Sequence, residues 1–310
     1  MVKKMWGSMA VLFVVVLSLV GCSNAEQSKS ADGKIHVTAT TGMINDIVKN
    51  VGGDNVETNA LMKSGVDPHL YKASQGDISK LEDADMIFYN GLHLEGKMID
   101  IFEKMSKTKP TIAVTENIGE EELLTPDDES EGNDPHVWFD VSLWIQAAEA
   151  VEEELIAFDP DNERAYKKNA EAYIGELKEL DDYVKVQIAS IPEQSRVLVT
   201  AHDAFGYFGK AYNMEVKGLQ GISTASEYGS KDVSELRDYL VENKIKAVFI
   251  ESSVPKKAIE AVMEGAKEKG HEMEIGGELF SDAMGQEGTE EGTYIGMVRH
   301  NVDTIVKALK

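Results

Sequence analysis

The tripeptide Asp-Pro-His occurs twice, in "GVDPHLYKAS" at 65–74 and in "NDPHVWFDV" at 133–141, so His69 and His136 stand 67 positions apart in unlike surroundings. A third histidine, His202, ends the apolar run "VLVTAH", and Asp282 follows the strand-like "GGELF". Three imidazoles and one carboxylate form a ligand set for a divalent transition metal. Imidazole suits Zn, Mn, Fe, Co, Ni and Cu, and the carboxylate favours the harder cations among them. Pro68 and Pro135 remove backbone freedom just before each histidine and so preorganise it. Asp67 and Asp134 either serve as the outer partners that metal-bound imidazoles usually have or form turns ahead of proline. Of the other histidines, His36 and His271 lie in strand-like runs, His300 lies in the last helical pattern, and His93 follows a strand end; none joins the set.

The elements around these residues explain why they would meet. Short β-branched runs at 34–42, 55–62, 84–91 and 110–117 alternate with amphipathic helical patterns, and runs at 195–201, 214–220, 245–252 and 271–279 repeat the grammar. Strand–helix alternation implies parallel sheet with right-handed crossovers. The expected fold is therefore α/β with two lobes, 34–158 and 194–310, each a roughly four-stranded parallel sheet with flanking helices. Ligands of open α/β sheets collect beyond the carboxyl ends of the strands. His69 and His136 from the first lobe, with His202 and Asp282 from the second, converge there on the interlobe cleft. Between the lobes, 159–193 reads as one long backbone helix, opened by Asp159 as N-cap and Pro160 in the first turn. Gly175 is its only interior breaker before Pro192, and the alternative is two shorter helices broken there.

The start of the chain reads as a leader. Lys3 and Lys4 precede the apolar run "MAVLFVVVLSLV" at 9–20, which is short for a membrane span and right for a signal peptide. It ends in "LVGC", with the only cysteine at position 22, a pattern resembling a bacterial lipobox. Cleavage after 1–21 would expose Cys22 for acylation, and the small polar stretch 22–33 would form a flexible tether. A lone cysteine excludes an intramolecular disulfide. Without the leader the chain carries 29 Lys and Arg against 55 Asp and Glu, a net charge of −26. That charge disfavours nucleic acid and anionic lipid headgroups and concentrates cations. The acidic stretch 119–134 reads as a solvated loop.

Taken in order, "LVGC", "VDPHLYKASQGD", "YNGLHLEGKM", "DPHVWFDV", "VTAHDAFGYFGKAY", "FIESSV" and "LFSDAMG" resemble the metal-binding lipoproteins of bacterial ABC transporters. Among these the chain is most similar to the manganese-binding lipoproteins of Bacillus-type bacteria. The resemblance spans nearly the whole mature chain. It implies two α/β lobes on one rigid helix, metal ligands at His69, His136, His202 and Asp282, and Glu251 beside them. It also implies a membrane permease as partner, a lipid anchor on the extracytoplasmic face of the cell membrane, and a monomer that is not an enzyme. Some relatives have been called adhesins, but no host-binding surface is visible here. Streptococcal manganese receptors carry Glu where this chain has His202, and three His with one Asp also occurs in zinc receptors. The affinity order favours zinc. The acidic rather than His-rich loop and the overall resemblance favour manganese. A metallohydrolase is the rival reading; four converging ligands oppose it, since catalytic zinc keeps a position open for water. His-Glu-x-x-His, Gly-x-Ser-x-Gly and phosphate-binding glycine loops are absent from the sequence.

Overall fold

The computed structural model describes residues 33–126 and 132–310. The leader at 1–21, Cys22, nearly all of the tether, and Asp127, Asp128, Glu129 and Glu131 of the acidic stretch lie outside the described residues. The first lobe runs β1 (Ile35–Ala39), α1 (Gly42–Gly52), β2 (Val56–Ala60), α2 (Gln75–Asp83), β3 (Met86–Tyr89), α3 (Ile99–Met105) and β4 (Thr111–Ala113). Its strands form one parallel sheet in the order β2-β1-β3-β4. Thr41 caps α1 by accepting the Ile44 N–H, and α1 then buries Met43, Ile44, Ile47, Val48 and Val51 along one face. Ser74 and Asp77 form a reciprocal capping box at the start of α2. The helical pattern from Leu94 yields helix only from Ile99. Leu92 and His93 take left-handed backbone angles, and the Glu95 side chain turns inward to other partners.

The second lobe contains β5 (Val197–His202), α6 (Gly206–Tyr212), β6 (Glu215–Gln220), α7 (Ser230–Glu242), β7 (Ala247–Glu251), α8 (Lys257–Glu268), β8 (Glu274–Leu279) and α9 (Tyr294–Leu309). Its four strands pair in parallel as β5–β6 and β7–β8, with a register shift between Val248 and Phe249. β5 lies beside β7. At their carboxyl ends the Glu251 carboxylate accepts the N–H groups of Ala201 at 2.9 Å and His202 at 3.2 Å, so a side chain ties the two pairs together there.

After the first-lobe strands come α4 (Val141–Phe158) and then α5 (Glu163–Ala189), ahead of the second-lobe strands. α5 is one unbroken helix of 27 residues, about 40 Å long at 1.5 Å per residue. Gly175 does not interrupt it. A 3-10 turn at Pro160–Asn162 precedes it, so Asp159 does not cap α5 directly. The Asp159 carboxylate instead accepts from the Asn162 amide and the Tyr166 hydroxyl. Tyr166, Ala170, Tyr173, Leu177, Leu180, Val184 and Ile188 form the buried stripe of α5, spaced at three and four residues. Full burial of one such aliphatic side chain contributes about 1.5–3 kcal/mol. The stripe belongs to a single core cluster that also takes β1, α1 and α4 from one side and α6 and α9 from the other. Hydroxyls pin the helix to both: Tyr173 donates to Asp46 of α1 at 2.9 Å, and Tyr183 donates to Asp303 of α9.

Candidate metal centre

All strands of each sheet run in one direction, so their carboxyl ends lie along a common edge in each lobe. His69 comes from the loop after β2, His202 is the last residue of β5, and Asp282 lies three residues past β8. His136 precedes a 3-10 turn, Val137–Phe139, that leads into α4 through its N-cap Asp140. The four side chains meet: one donor atom from each of His69, His136, His202 and Asp282 lies within 4.8 Å of all the others, and all four residues are buried.

The donor geometry is that of a shared cation. The Nε2 atoms of His69 and His202 lie 3.3 and 3.2 Å from His136 Nε2. Two nitrogens bound tetrahedrally to one ion at about 2.1 Å would stand about 3.4 Å apart. Outward hydrogen bonds select which nitrogen faces inward. His136 Nδ1 donates to Asp134 Oδ1 at 2.6 Å, and His202 Nδ1 donates to the Gly221 carbonyl at 2.9 Å. Each Nε2 is thereby turned to the centre. Asp282 Oδ1 and Oδ2 approach His136 Nε2 at 3.3 Å and His202 Nε2 at 3.5 Å, yet neither oxygen makes a hydrogen bond. A buried carboxylate with both oxygens unbonded is costly unless a cation sits against it.

Titration behaviour follows the same charge pattern. Burial drives the His69 pKa down to about 3. Burial also opposes a charge on His136, but Asp134 and Asp282 outweigh it and hold its pKa up at about 10. Burial alone would raise Asp282; the His202 and His136 imidazoles prevail and keep it well below the usual carboxylate range. The centre thus demands positive charge, which a proton or a metal ion can supply. Burial pushes Glu251 up to about 7, and its bonds go to backbone N–H groups rather than into the centre.

The two Asp-Pro-His segments share a local turn. Asp67 Oδ1 accepts the His69 N–H at 2.8 Å, and Asp134 Oδ1 accepts the His136 N–H at 2.9 Å. At Asp134 the turn former and the partner of the imidazole are the same residue; Asp67 forms the turn and makes no bond to the His69 ring among those observed. Asp134 also orients its own histidine ring, whereas Asp67 Oδ2 accepts from the Thr224 hydroxyl of the second lobe at 2.6 Å.

Other polar residues support the centre without any signal in local pattern. Glu95 is buried and accepts from Thr40 Oγ1 at 2.6 Å and from the backbone of Asn90 at 2.8 Å. The Asn90 amide then donates to the Pro135 carbonyl beside His136 at 3.0 Å. Tyr207 donates to the Asp134 carbonyl, Tyr294 to the Trp138 carbonyl, and the Trp138 indole to the Ser281 carbonyl next to Asp282. "YNGLHLEGKM" thus contributes Asn90 and Glu95, while its His93 is exposed and outside the cluster. His36, His271 and His300 are likewise outside it; His271 and His300 bond to backbone carbonyls, and His271 lies ahead of β8 rather than within it.

Residues 37–308 match the family model ZnuA, "Zinc-uptake complex component A periplasmic". The chain is 54% identical over 304 residues to the manganese-binding lipoprotein MntA of Bacillus subtilis, covering 98% of this chain and 99% of that one. It is 50% identical over 293 residues to the zinc-binding protein TroA of Treponema pallidum, covering 94% of each. The solved structure of the periplasmic zinc-binding protein TroA from that organism superposes with a TM-score of 0.87, covering 89% of this chain and 99% of that chain.

Proposed function

Because the chain belongs to the ZnuA family of metal-uptake components, we propose that it is the metal-binding receptor of an ABC transporter. It takes a divalent transition metal between its two lobes and hands it to a membrane permease. The observation that carries this reading is the closed set of His69, His136, His202 and Asp282, with both Asp282 oxygens unbonded. Four protein donors leave no position reserved for an activated water, so the chain is read as a receptor and not as an enzyme. The site is complete within one chain, which supports a monomer.

Manganese is the favoured cargo. The MntA relative supports it, and the two free Asp282 oxygens can hold a larger, harder ion through both atoms. Zinc is the second reading, favoured by three imidazoles, by the affinity order and by the TroA relative. The full chain purified with manganese and zinc in competition should retain one equivalent of metal. Retention of neither overturns the receptor reading, and the ratio decides the cargo.

Residues 1–21 are read as a removed leader, 22–33 as a tether, 34–158 and 194–310 as the lobes, and 159–193 as the link. "LVGC" supports acylation of Cys22 and anchorage on the extracytoplasmic face of the cell membrane. Relatives named as lipoproteins support it too. Cys22→Ser should leave the protein unprocessed or soluble in cell fractionation; an anchored, normally cleaved variant refutes the anchor.

A further inference from the structure

The segment after β6 contributes no ligand, yet it contacts the supports of two. Gln220 ends β6 and pairs with His202 across the ladder. Its amide Nε2 donates to two carbonyls, Thr224 at 2.6 Å and Ser226 at 2.8 Å. Residues 221–226 are thereby gathered into a compact turn over one side chain. Three bonds then radiate from that segment and its base. Gly221 accepts the His202 Nδ1 proton at 2.9 Å. The Gln220 carbonyl accepts the N–H of Asp203, the residue after His202, at 3.0 Å. The Thr224 hydroxyl crosses the cleft to Asp67 Oδ2 at 2.6 Å, and Asp67 holds the His69 backbone.

The segment that carries Asp67 and His69 runs along the surface. Around it Lys63, Ser64, Gly65, Leu70 and Lys72 are exposed, with Leu70 at 51%. Thr224 itself is buried, at 8% exposure, so water competes poorly for its hydroxyl. A hydrogen bond between a buried hydroxyl and a carboxylate is of the stronger, charge-assisted kind.

We propose that Gln220 and Thr224 are positioning residues that hold the His69 loop closed over the metal. Thr224 ties that loop across the cleft, and Gln220 shapes the turn that presents Thr224. Metal leaves only after the Thr224–Asp67 bond breaks. The pair therefore governs the rate of metal release more than the rate of capture. This inference rests on the receptor reading above.

The test is a chelator chase of the manganese-loaded full chain in a stopped-flow instrument. Thr224→Val keeps the shape and removes the hydroxyl. It should release manganese about tenfold faster, the lower end of what one hydrogen bond to a charged group is worth. Association should change by less than about twofold, because association rates vary little among variants of one site. The same bond is present without metal, so the metal-free melting temperature should fall by a few degrees at most, and Thr224→Ser should restore the slow release. Gln220→Met, which keeps length but has no N–H donor, should also accelerate release. The Gln220→Met/Thr224→Val double variant should be no faster than the faster single one, because both act through the same bond. Equal release by wild type and Thr224→Val overturns the proposal. So does a Thr224→Ser variant as fast as Thr224→Val, or additive acceleration in the double variant. If Thr224→Val does not fold, Gln220→Met and Thr224→Ser decide the matter. A wild-type chain that binds neither manganese nor zinc sinks the receptor reading itself, whereas firm binding with unaltered release sinks only this one.

Discussion

The two Asp-Pro-His segments begin alike and end in different mechanical situations. His136 sits in the seam where the lobes meet. Residues 134–139 are all buried, and Asn90, Tyr207, Tyr294 and Ser281 grip the segment from both lobes. His69 sits at the rim, between exposed Gly65 and exposed Leu70, and Asp67–Thr224 is its polar tie to the far lobe. The same tripeptide therefore makes a fixed wall in one place and a fastening in the other. Proline and the Asp turn set the local geometry of both; burial and long-range partners decide which of them can yield. On such a frame the rim, tied by fewer bonds, is where movement on metal capture is expected, and the seam where it is not.

The comparison is broken most directly at the shared centre. Asp282→Ala removes the one carboxylate of the proposed ligand set and leaves three imidazoles converging without it. Metal affinity should fall by at least about a hundredfold, since even outer partners of ligands are worth 10–100-fold. Calorimetric titration measures it. An affinity within a few-fold of wild type would remove Asp282 from the site and leave the seam and the rim with no common ligand.

A paired substitution sharpens the contrast. Asp134→Asn takes away the carboxylate that both orients the His136 ring and raises its basicity. It should cost about 10–100-fold in metal affinity. Asp67→Asn touches the rim, where one amide oxygen can still accept the His69 N–H and the charge on the Thr224 bond is lost. Its cost should be about tenfold, carried by faster release. Titration of both variants, followed by chelator chase, tests the order. Equal losses, or a larger loss from Asp67→Asn, would mean that seam and rim are not different in kind.

Much of this arrangement was legible in the sequence because it rests on local signals. Strand runs, the three-and-four spacing in α5 and the Asp-Pro-His turns are short-range patterns. The placement of His69, His202 and Asp282 at or just past carboxyl strand ends followed from the parallel topology, and that of His136 from the helical pattern it precedes. What could not be read is long-range and polar. Glu95 lies in "LEGKMIDIFEKM", whose composition is helical, yet the helix begins only at Ile99 and the Glu95 carboxylate bonds Thr40, 55 positions away. Thr224 and Asp67 are 157 positions apart, and neither belongs to a pattern that predicts the other. Family resemblance places Glu251 beside the candidate ligands, but its tying of β5 to β7 depends on a strand adjacency that only the fold reveals. The start of α5 shifted because a carboxylate at 159 could satisfy Asn162 and Tyr166 at once and so prefer a tight turn to a helical cap.

The smallest effect is expected at the frame, where the seam should prove separable from the site. Tyr173 of α5 is buried and donates to Asp46 of α1, whose carboxylate is itself buried. Tyr173→Phe keeps the ring in the core and deletes one hydroxyl, leaving Asp46 short of a donor. A buried acceptor left unpaired costs about 1–3 kcal/mol. For a chain of this size that lowers the melting temperature by a few degrees. The lost bond joins α5 to the first lobe far along the chain from the ligands and spans no part of the cleft. Metal affinity and release should therefore match wild type while the melt shifts. Thr224→Val, whatever its own small shift in the melt, should speed release. Scanning calorimetry and the chelator chase, run on both variants, separate frame from fastening. A Tyr173→Phe variant that released metal as fast as Thr224→Val would show that the long helix itself takes part in opening, and that the seam is not the fixed wall described here.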